Sequence, residues 1–199
     1  MRMLNAMLVS FGLIVFISNT VQADDKHKYK EACPVASPYK STAGDTVSFE
    51  DKFGVGTTEL MNCLQERDDV RVVMQVNSFV DGKGRPYGFR NLPNMINDYE
   101  ITNGMKSSDY EISVIIHSGG YPFVLDPAAP GAHPEAYKNT FAGMVSDLID
   151  RGIKVYFCMN TAAAKGIKTD QMLSGVQYVT AGLTAVADFQ EQGYKYVQP

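Results

Sequence analysis

From residue 70 to the end, the chain alternates short β-branched apolar runs with amphipathic stretches, and this rhythm restricts the fold more than any other feature. Val70–Val76 (VRVVMQV) reads as a central strand, because a strand buried on both faces needs a near-continuous apolar run. Tyr110–His117 (YEISVIIH), Ile153–Cys158 and Val176–Thr180 read as three more strands, and Tyr194–Val197 as a fifth. Helices are expected at Leu92–Thr102, at Pro134–Asp150, in a short segment after Cys158, and at Leu183–Gln192. In the second of these, Tyr137, Phe141, Met144, Val145, Leu148 and Ile149 recur at three- and four-residue spacing, as one buried helix face requires. Asn91 with Pro93 suits a helix start, and Gly152 and Gly193 suit helix ends. Strand and helix in alternation predict a three-layer α/β/α domain around a mostly parallel sheet of about five strands. Right-handed crossovers would put helices on both faces.

In such sheets the working edge lies beyond the carboxyl ends of the strands. That edge collects Asn77, His117, Cys158 and the Thr180-Ala181-Gly182 turn. Cys158 closes KVYFC just before MNT and an alanine run, so its thiol stands near a helix N-terminus, with Asn160 or Thr161 as the expected cap. The partial positive charge there favours thiolate over thiol. A small, inert buried cysteine fits the same position equally well. His117 ends the preceding strand and can approach Cys158 as a base or as a stabiliser of the thiolate. On pattern alone the better reading is a histidine that hydrogen-bonds the Ser118-Gly119-Gly120 turn.

The amino terminus reads as an export signal. Arg2 precedes a twelve-residue apolar run, Ala6–Ile17, and Val21-Gln22-Ala23 offers small residues for cleavage after Ala23. The run is short for a membrane span. Three segments follow: 1–23 a cleaved signal, 24–69 an N-terminal extension, and 70–199 the α/β domain. Loss of Arg2 leaves 17 basic against 22 acidic residues, a charge of −5. No clustered Lys and Arg mark a nucleic-acid surface, and no second apolar span follows the signal. The destination is periplasmic or secreted. That compartment is oxidising, and three cysteines leave at least one without an internal partner. The simplest arrangement pairs Cys33 with Cys63 and leaves Cys158 free; two unpaired thiols are the alternative.

Other motifs are weak. Gly82-Lys83-Gly84, with Arg85 and Arg90, lacks both the dinucleotide and the phosphate-loop pattern and reads as a surface loop. The long Ser118–His133 stretch suits a lid or an oligomer contact, with Tyr121 and Phe123 to bury. His27, His117 and His133 have no metal-ligand spacing. There is no CxxC pair and no GxSxG elbow.

Arg71–Pro199 resembles the DsrE/DsrF-like sulfur-relay family. The resemblance is carried by VVMQVNS, NMINDYE, VIIHSGG, GIKVYFCMNT with AKGI, and VTAGLTAVADFQEQGYKYVQP. It implies a Rossmann-like domain that assembles as a symmetric homo-oligomer, a trimer or hexamer. It also implies a persulfide-carrying cysteine at Cys158, with Asn160, Thr161 and His117 in matching positions. No metal or organic cofactor is implied, and the partners would be thiol-bearing sulfur donors or acceptors. Whether the chain is an enzyme stays open between a sulfurtransferase or persulfide carrier and a non-catalytic binding module in which Cys158 is structural.

Overall fold

The structure is a computed structural model that describes residues 39–40, 46–47, 49–60, 67 and 69–199. The export signal, and Cys33 and Cys63 with their expected pairing, lie outside the described residues. Of the extension, the structure describes a small antiparallel pair, β1 (Tyr39–Lys40) with β2 (Thr46–Val47), and two short helices, α1 (Phe49–Phe53) and α2 (Thr57–Leu60).

The five expected strands all form: β3 (Val70–Val76), β4 (Tyr110–Ile116), β5 (Lys154–Cys158), β6 (Gln177–Val179) and β7 (Lys195–Val197). They make one parallel sheet in the order β6-β5-β4-β3-β7. The first four thus step across the sheet in chain order, and the last returns to pair beside β3. The helices between them are α3 (Leu92–Asn97), α4 (Ala142–Asp150), α5 (Met159–Lys165) and α6 (Gly182–Glu191).

Side-chain alternation divides the sheet into two faces. Val72, Met74, Val76, Ile112, Val114, Ile116, Val155 and Phe157 face the main core, where Leu92, Ile96, Val145, Leu148 and Ala162 bring in α3, α4 and α5. The other face has a smaller core. There Ala185 and Val186 of α6 pack on Val73 and Ile115. Each large apolar side chain fully buried this way contributes about 1.5–3 kcal/mol, so the heavier face anchors the sheet and the α6 face is the lighter one. Ser113 is fully buried on the lighter face, and its hydroxyl has no hydrogen-bond partner.

Three expectations are corrected. The helix expected over Pro134–Asp150 breaks into a 3-10 turn (Pro134–Lys138) and α4. The break is at Asn139, a buried residue whose amide donates to the carbonyls of Phe123 (3.3 Å) and Leu125 (2.8 Å) and whose side-chain oxygen accepts from Phe141 N–H. Tyr137, expected on the buried face, is 72 % exposed. The Ser118–His133 stretch begins as a 3-10 helix (Ser118–Val124), packed rather than lid-like. Phe123 is wholly buried, with ring centroids 4.5 Å from Phe89 and 4.7 Å from Phe79. Finally, the helix after β5 starts one residue past the cysteine, so Cys158 itself is the N-cap and Asn160 and Thr161 lie in the first turn.

Candidate functional site

The site is built by strand register. Ile116 of β4 is opposite Phe157 of β5, both in the main core. The next residues along, His117 and Cys158, therefore lie side by side and point to the lighter face. Gln75 of β3 falls on that face as well. Gly182 opens α6 against it: a Cβ there would meet the Cβ of His117 at 3.0 Å and its Cγ and Cδ2 at 3.1 Å. The sequence permits this contact because residue 182 has no side chain.

Cys158 has extended backbone angles (φ −70°, ψ 118°), as an N-cap residue should, and only 5 % of it is exposed. It is a free thiol. At an ordinary N-cap, a side-chain oxygen accepts from the N–H of the second or third helical residue. Cys158 holds that position in the chain, and its sulfur closes no cap hydrogen bond. Burial pushes the thiol up; against it act the Thr161 N–H, the Thr161 hydroxyl and the N–H groups of Gly182 and Asn160. These donors outweigh burial and hold the thiol below its ordinary value. The sulfur is thus set between the starts of α5 and α6, and fixed dipoles favour its negative charge.

His117 stands beside this sulfur, but its ring nitrogens face elsewhere. Nε2 is 2.7 Å from Gln75 Nε2, and Nδ1 is 2.8 Å from Ser118 Oγ. Gln75 Oε1 accepts from the Tyr196 hydroxyl at 3.0 Å. With the Gln75 amide donating, the imidazole accepts at Nε2 and keeps its proton on Nδ1, directed at Ser118. Burial lowers the His117 pKa, which agrees with a neutral ring. The ring therefore offers no positive charge to the thiolate, and the N–H groups supply the stabilisation. Ser118 closes the network, because its N–H donates to Thr161 Oγ1 at 3.0 Å.

The structure therefore gathers Cys158, His117, Asn160 and Thr161 at one edge. Asn160 contributes backbone, its side chain being exposed. Two members were not singled out by sequence reasoning, Gln75 and Tyr196, while Ser118 entered only as part of the turn that His117 could serve. Gln75 left one signal, a lone amide near the end of a strand that is otherwise apolar from Val72 on, in phase with the face that His117 and Cys158 share. Met159 and Leu183, next in sequence to Cys158 and Gly182, are exposed apolar residues at the rim.

The remaining candidates lie elsewhere. His133 accepts from Glu135 N–H and meets the Lys165 carbonyl (3.1 Å) at the far end of α5. The Gly82-Lys83-Gly84 loop is tied by Asp81, whose carboxylate accepts from Lys83 N–H, Arg85 N–H and the Arg85 guanidinium. Those bonds, from Arg85 first, hold the Asp81 pKa at about 2. Asp81, Arg85, Arg90 and Pro199 line a depression of about 170 Å³. Among the described residues, no cluster of His, Cys, Asp and Glu could hold a metal ion, and no helix is long and apolar enough to cross a membrane.

Solved structures that resemble the chain include the following two. A protein of unknown function, MTH1491 from Methanobacterium thermoautotrophicum, shares 24 % identity at a TM-score of 0.48, over 66 % of this chain and 100 % of its own. The ychN protein of E. coli shares 20 % at 0.42, over 65 % of this chain and 99 % of its own. No curated protein matches. The family model for the DsrE/DsrF-like family matches residues 85–199, which spans β4 to β7 and includes His117 and Cys158. With more than half of its length matched, the chain belongs to the DsrE/DsrF-like family.

Proposed function

We propose that this protein carries sulfane sulfur as a persulfide on Cys158, within a sulfur-relay role of the kind its family suggests. One observation carries the reading: Cys158 is the N-cap residue of α5, next to the start of α6, and donors at Thr161, Gly182 and Asn160 offset burial to hold its thiol below the ordinary value. The thiolate is the nucleophile in sulfur exchange. It attacks the terminal sulfur of a persulfide or polysulfide. A new S–S bond forms on Cys158, the donor's S–S bond breaks, and its electron pair leaves on the donor thiolate. No outside oxidant is consumed, since the sulfur atom moves at constant oxidation level. The same N–H groups then face a persulfide anion. The exposed Met159 and Leu183 give a thiol-bearing partner apolar surface beside the sulfur. The export signal and a symmetric homo-oligomer, trimer or hexamer, belong to the same proposal and place the relay in the periplasm or outside the cell.

The low exposure of Cys158 favours a second reading, in which the cysteine is structural and the protein is a binding module. The test is intact mass after exposure to polysulfide, for wild type and Cys158→Ser. A gain of sulfur mass in wild type alone, reversed by reductant, supports the carrier. A native protein that gains nothing, with Cys158 alkylated only in denaturant, leaves the binding module.

A further inference from the structure

The hairpin around Gly82-Lys83-Gly84 bounds a depression that the Cys158 site does not use. The hairpin is closed by backbone bonds. Val80 bridges to Pro86, Asp81 N–H donates to the Arg85 carbonyl (2.9 Å), and Tyr87 N–H donates to the Phe79 carbonyl (3.1 Å). Gly88 then brings the chain down onto the sheet. Its φ is 77°, and a Cβ there would meet Val76 Cγ2 at 2.8 Å and Pro199 Cγ at 3.1 Å. That leaves no room for a side chain at residue 88, and the depression stands over the carboxyl ends of β3 and β7. Chain order along the sheet breaks between those two strands. In open α/β sheets, ligands bind outside the carboxyl ends of the strands where the order changes. Cys158 ends β5, and β4 lies between it and β3.

What the depression offers is donors. Asp81 is the one acidic side chain that lines it, and both its oxygens are occupied. Oδ1 accepts from Lys83 N–H (2.8 Å) and Arg85 N–H (3.0 Å), and Oδ2 from Arg85 Nε (2.7 Å). A cation would therefore have to displace bonds already made. Arg85 and Arg90 share that single carboxylate, which leaves one positive charge over. Arg90 is the less engaged of the two. Its Nε donates to Asn91 Oδ1 (3.1 Å), and its NH1 stands 3.8 Å from Asp81, beyond hydrogen-bond reach. Guanidinium forks recognise the paired oxygens of carboxylates and phosphates. The volume, about 170 Å³, is well below the roughly 300–1,000 Å³ of pockets for drug-sized ligands, so the occupant is small. We propose that this depression is a second binding site, for a small oxyanion, phosphate or a short carboxylic acid, held by Arg90 with Arg85 beside it. Asp81 and Asn91 are its positioning residues: each fixes one guanidinium before the anion arrives. The site stands apart from Cys158 whether or not that thiol carries sulfur.

The test is thermal melting at constant ionic strength, with sodium phosphate or sodium succinate replacing sodium chloride. An anion that binds the folded state alone raises Tm by mass action. It is run on wild type, Arg90→Gln, Arg90→Lys and Lys106→Gln, which removes the same charge just before β4, at the opposite edge of the sheet. Wild type should rise with at least one of the two salts. A stronger response to phosphate assigns the site to a phosphate group, and a stronger response to succinate to a carboxylate; either supports the proposal. Arg90→Gln should need about tenfold more anion for the same rise, the weight of one hydrogen bond to a charged group. Arg90→Lys keeps the charge without the fork and should fall between. Lys106→Gln should respond as wild type does. Phosphate also stabilises proteins by exclusion from their surface, and that effect does not depend on Arg90. A rise of equal size in wild type and Arg90→Gln therefore overturns the proposal. So does an equal loss of response in Lys106→Gln, for then net charge alone accounts for it.

Discussion

Replacing Gly182 with alanine should weaken the Cys158 thiolate at a modest cost in stability. Two effects oppose each other. Alanine is the better helix former, by up to about 1 kcal/mol in a helix interior. At the first residue of α6 much of that gain is absent. Against it, the new methyl would sit 3.0–3.1 Å from three atoms of the His117 side chain, tighter than van der Waals contact. The imidazole cannot swing aside freely, because one nitrogen is engaged by Gln75 and the other by Ser118. Overpacking of this kind costs about 1–3 kcal/mol, so strain wins by roughly 1–2 kcal/mol. In a domain of this size that lowers Tm by about 2–8 °C. The cheapest relief is a retreat of the α6 start from the sheet edge. It withdraws the Gly182 N–H from the sulfur, where it helps to offset burial. The assay is the pH dependence of iodoacetamide alkylation beside a thermal melt. The alkylation midpoint should move up toward the ordinary thiol value. A variant with lowered Tm and an unchanged midpoint would show that α6 does not support the thiolate, and the N-terminal geometry argued for the site would be wrong there.

Two further predictions follow from buried groups. Burial lowers the folded-state His117 pKa below its unfolded value, so the unfolded chain binds more protons as pH falls below about 6.5. Wild type should lose stability through that window, and His117→Asn should lose less, by urea unfolding at stepped pH; parallel curves for the two proteins would refute the assignment. Ser113→Ala removes a buried hydroxyl without a partner and should raise stability by about 1 kcal/mol, measured by urea midpoint at constant slope, whereas destabilisation of that size would show that the hydroxyl is satisfied.

The sheet was legible because its central strands β3, β4 and β5 are buried and must spell themselves in apolar residues, while the edge strands β6 and β7, with no fully buried residue, show mainly by their place between turns. The helix over Pro134–Asp150 was misread for the opposite reason. Its apolar spacing continues through Asn139, but the side chain of that asparagine is claimed by the Phe123 and Leu125 carbonyls. No local pattern carries that claim, because it comes from a segment fourteen to sixteen residues away. The candidate site divides along the same line. Cys158 and His117 could be placed together because strand ends in a parallel sheet share an edge. Their partners could not, since Tyr196 meets Gln75 across 121 residues and Ser118 meets Thr161 across forty-three. Such contacts exist only once the sheet has been assembled.

How the sheet distributes charge bears on what kind of thiol this is. On the lighter face the ionised side chains stand toward the opposite edge: Glu111 accepts from Tyr194 and pairs with Lys154 (2.7 Å), and Arg71 pairs with Asp69. At the working edge the groups in contact are a neutral histidine, an amide, three hydroxyls and backbone N–H groups. A cysteine paired with a cation loses much of its activation when the ion pair is screened or its partner deprotonates. Fixed backbone dipoles need no proton of their own, and the sulfur beside them is buried, where screening is weak. In the proposed carrier role these dipoles stand beside the Cys158 sulfur before and after it takes on a second atom, with no proton of their own to lose, and the N-cap position of Cys158 suits the proposal in that sense.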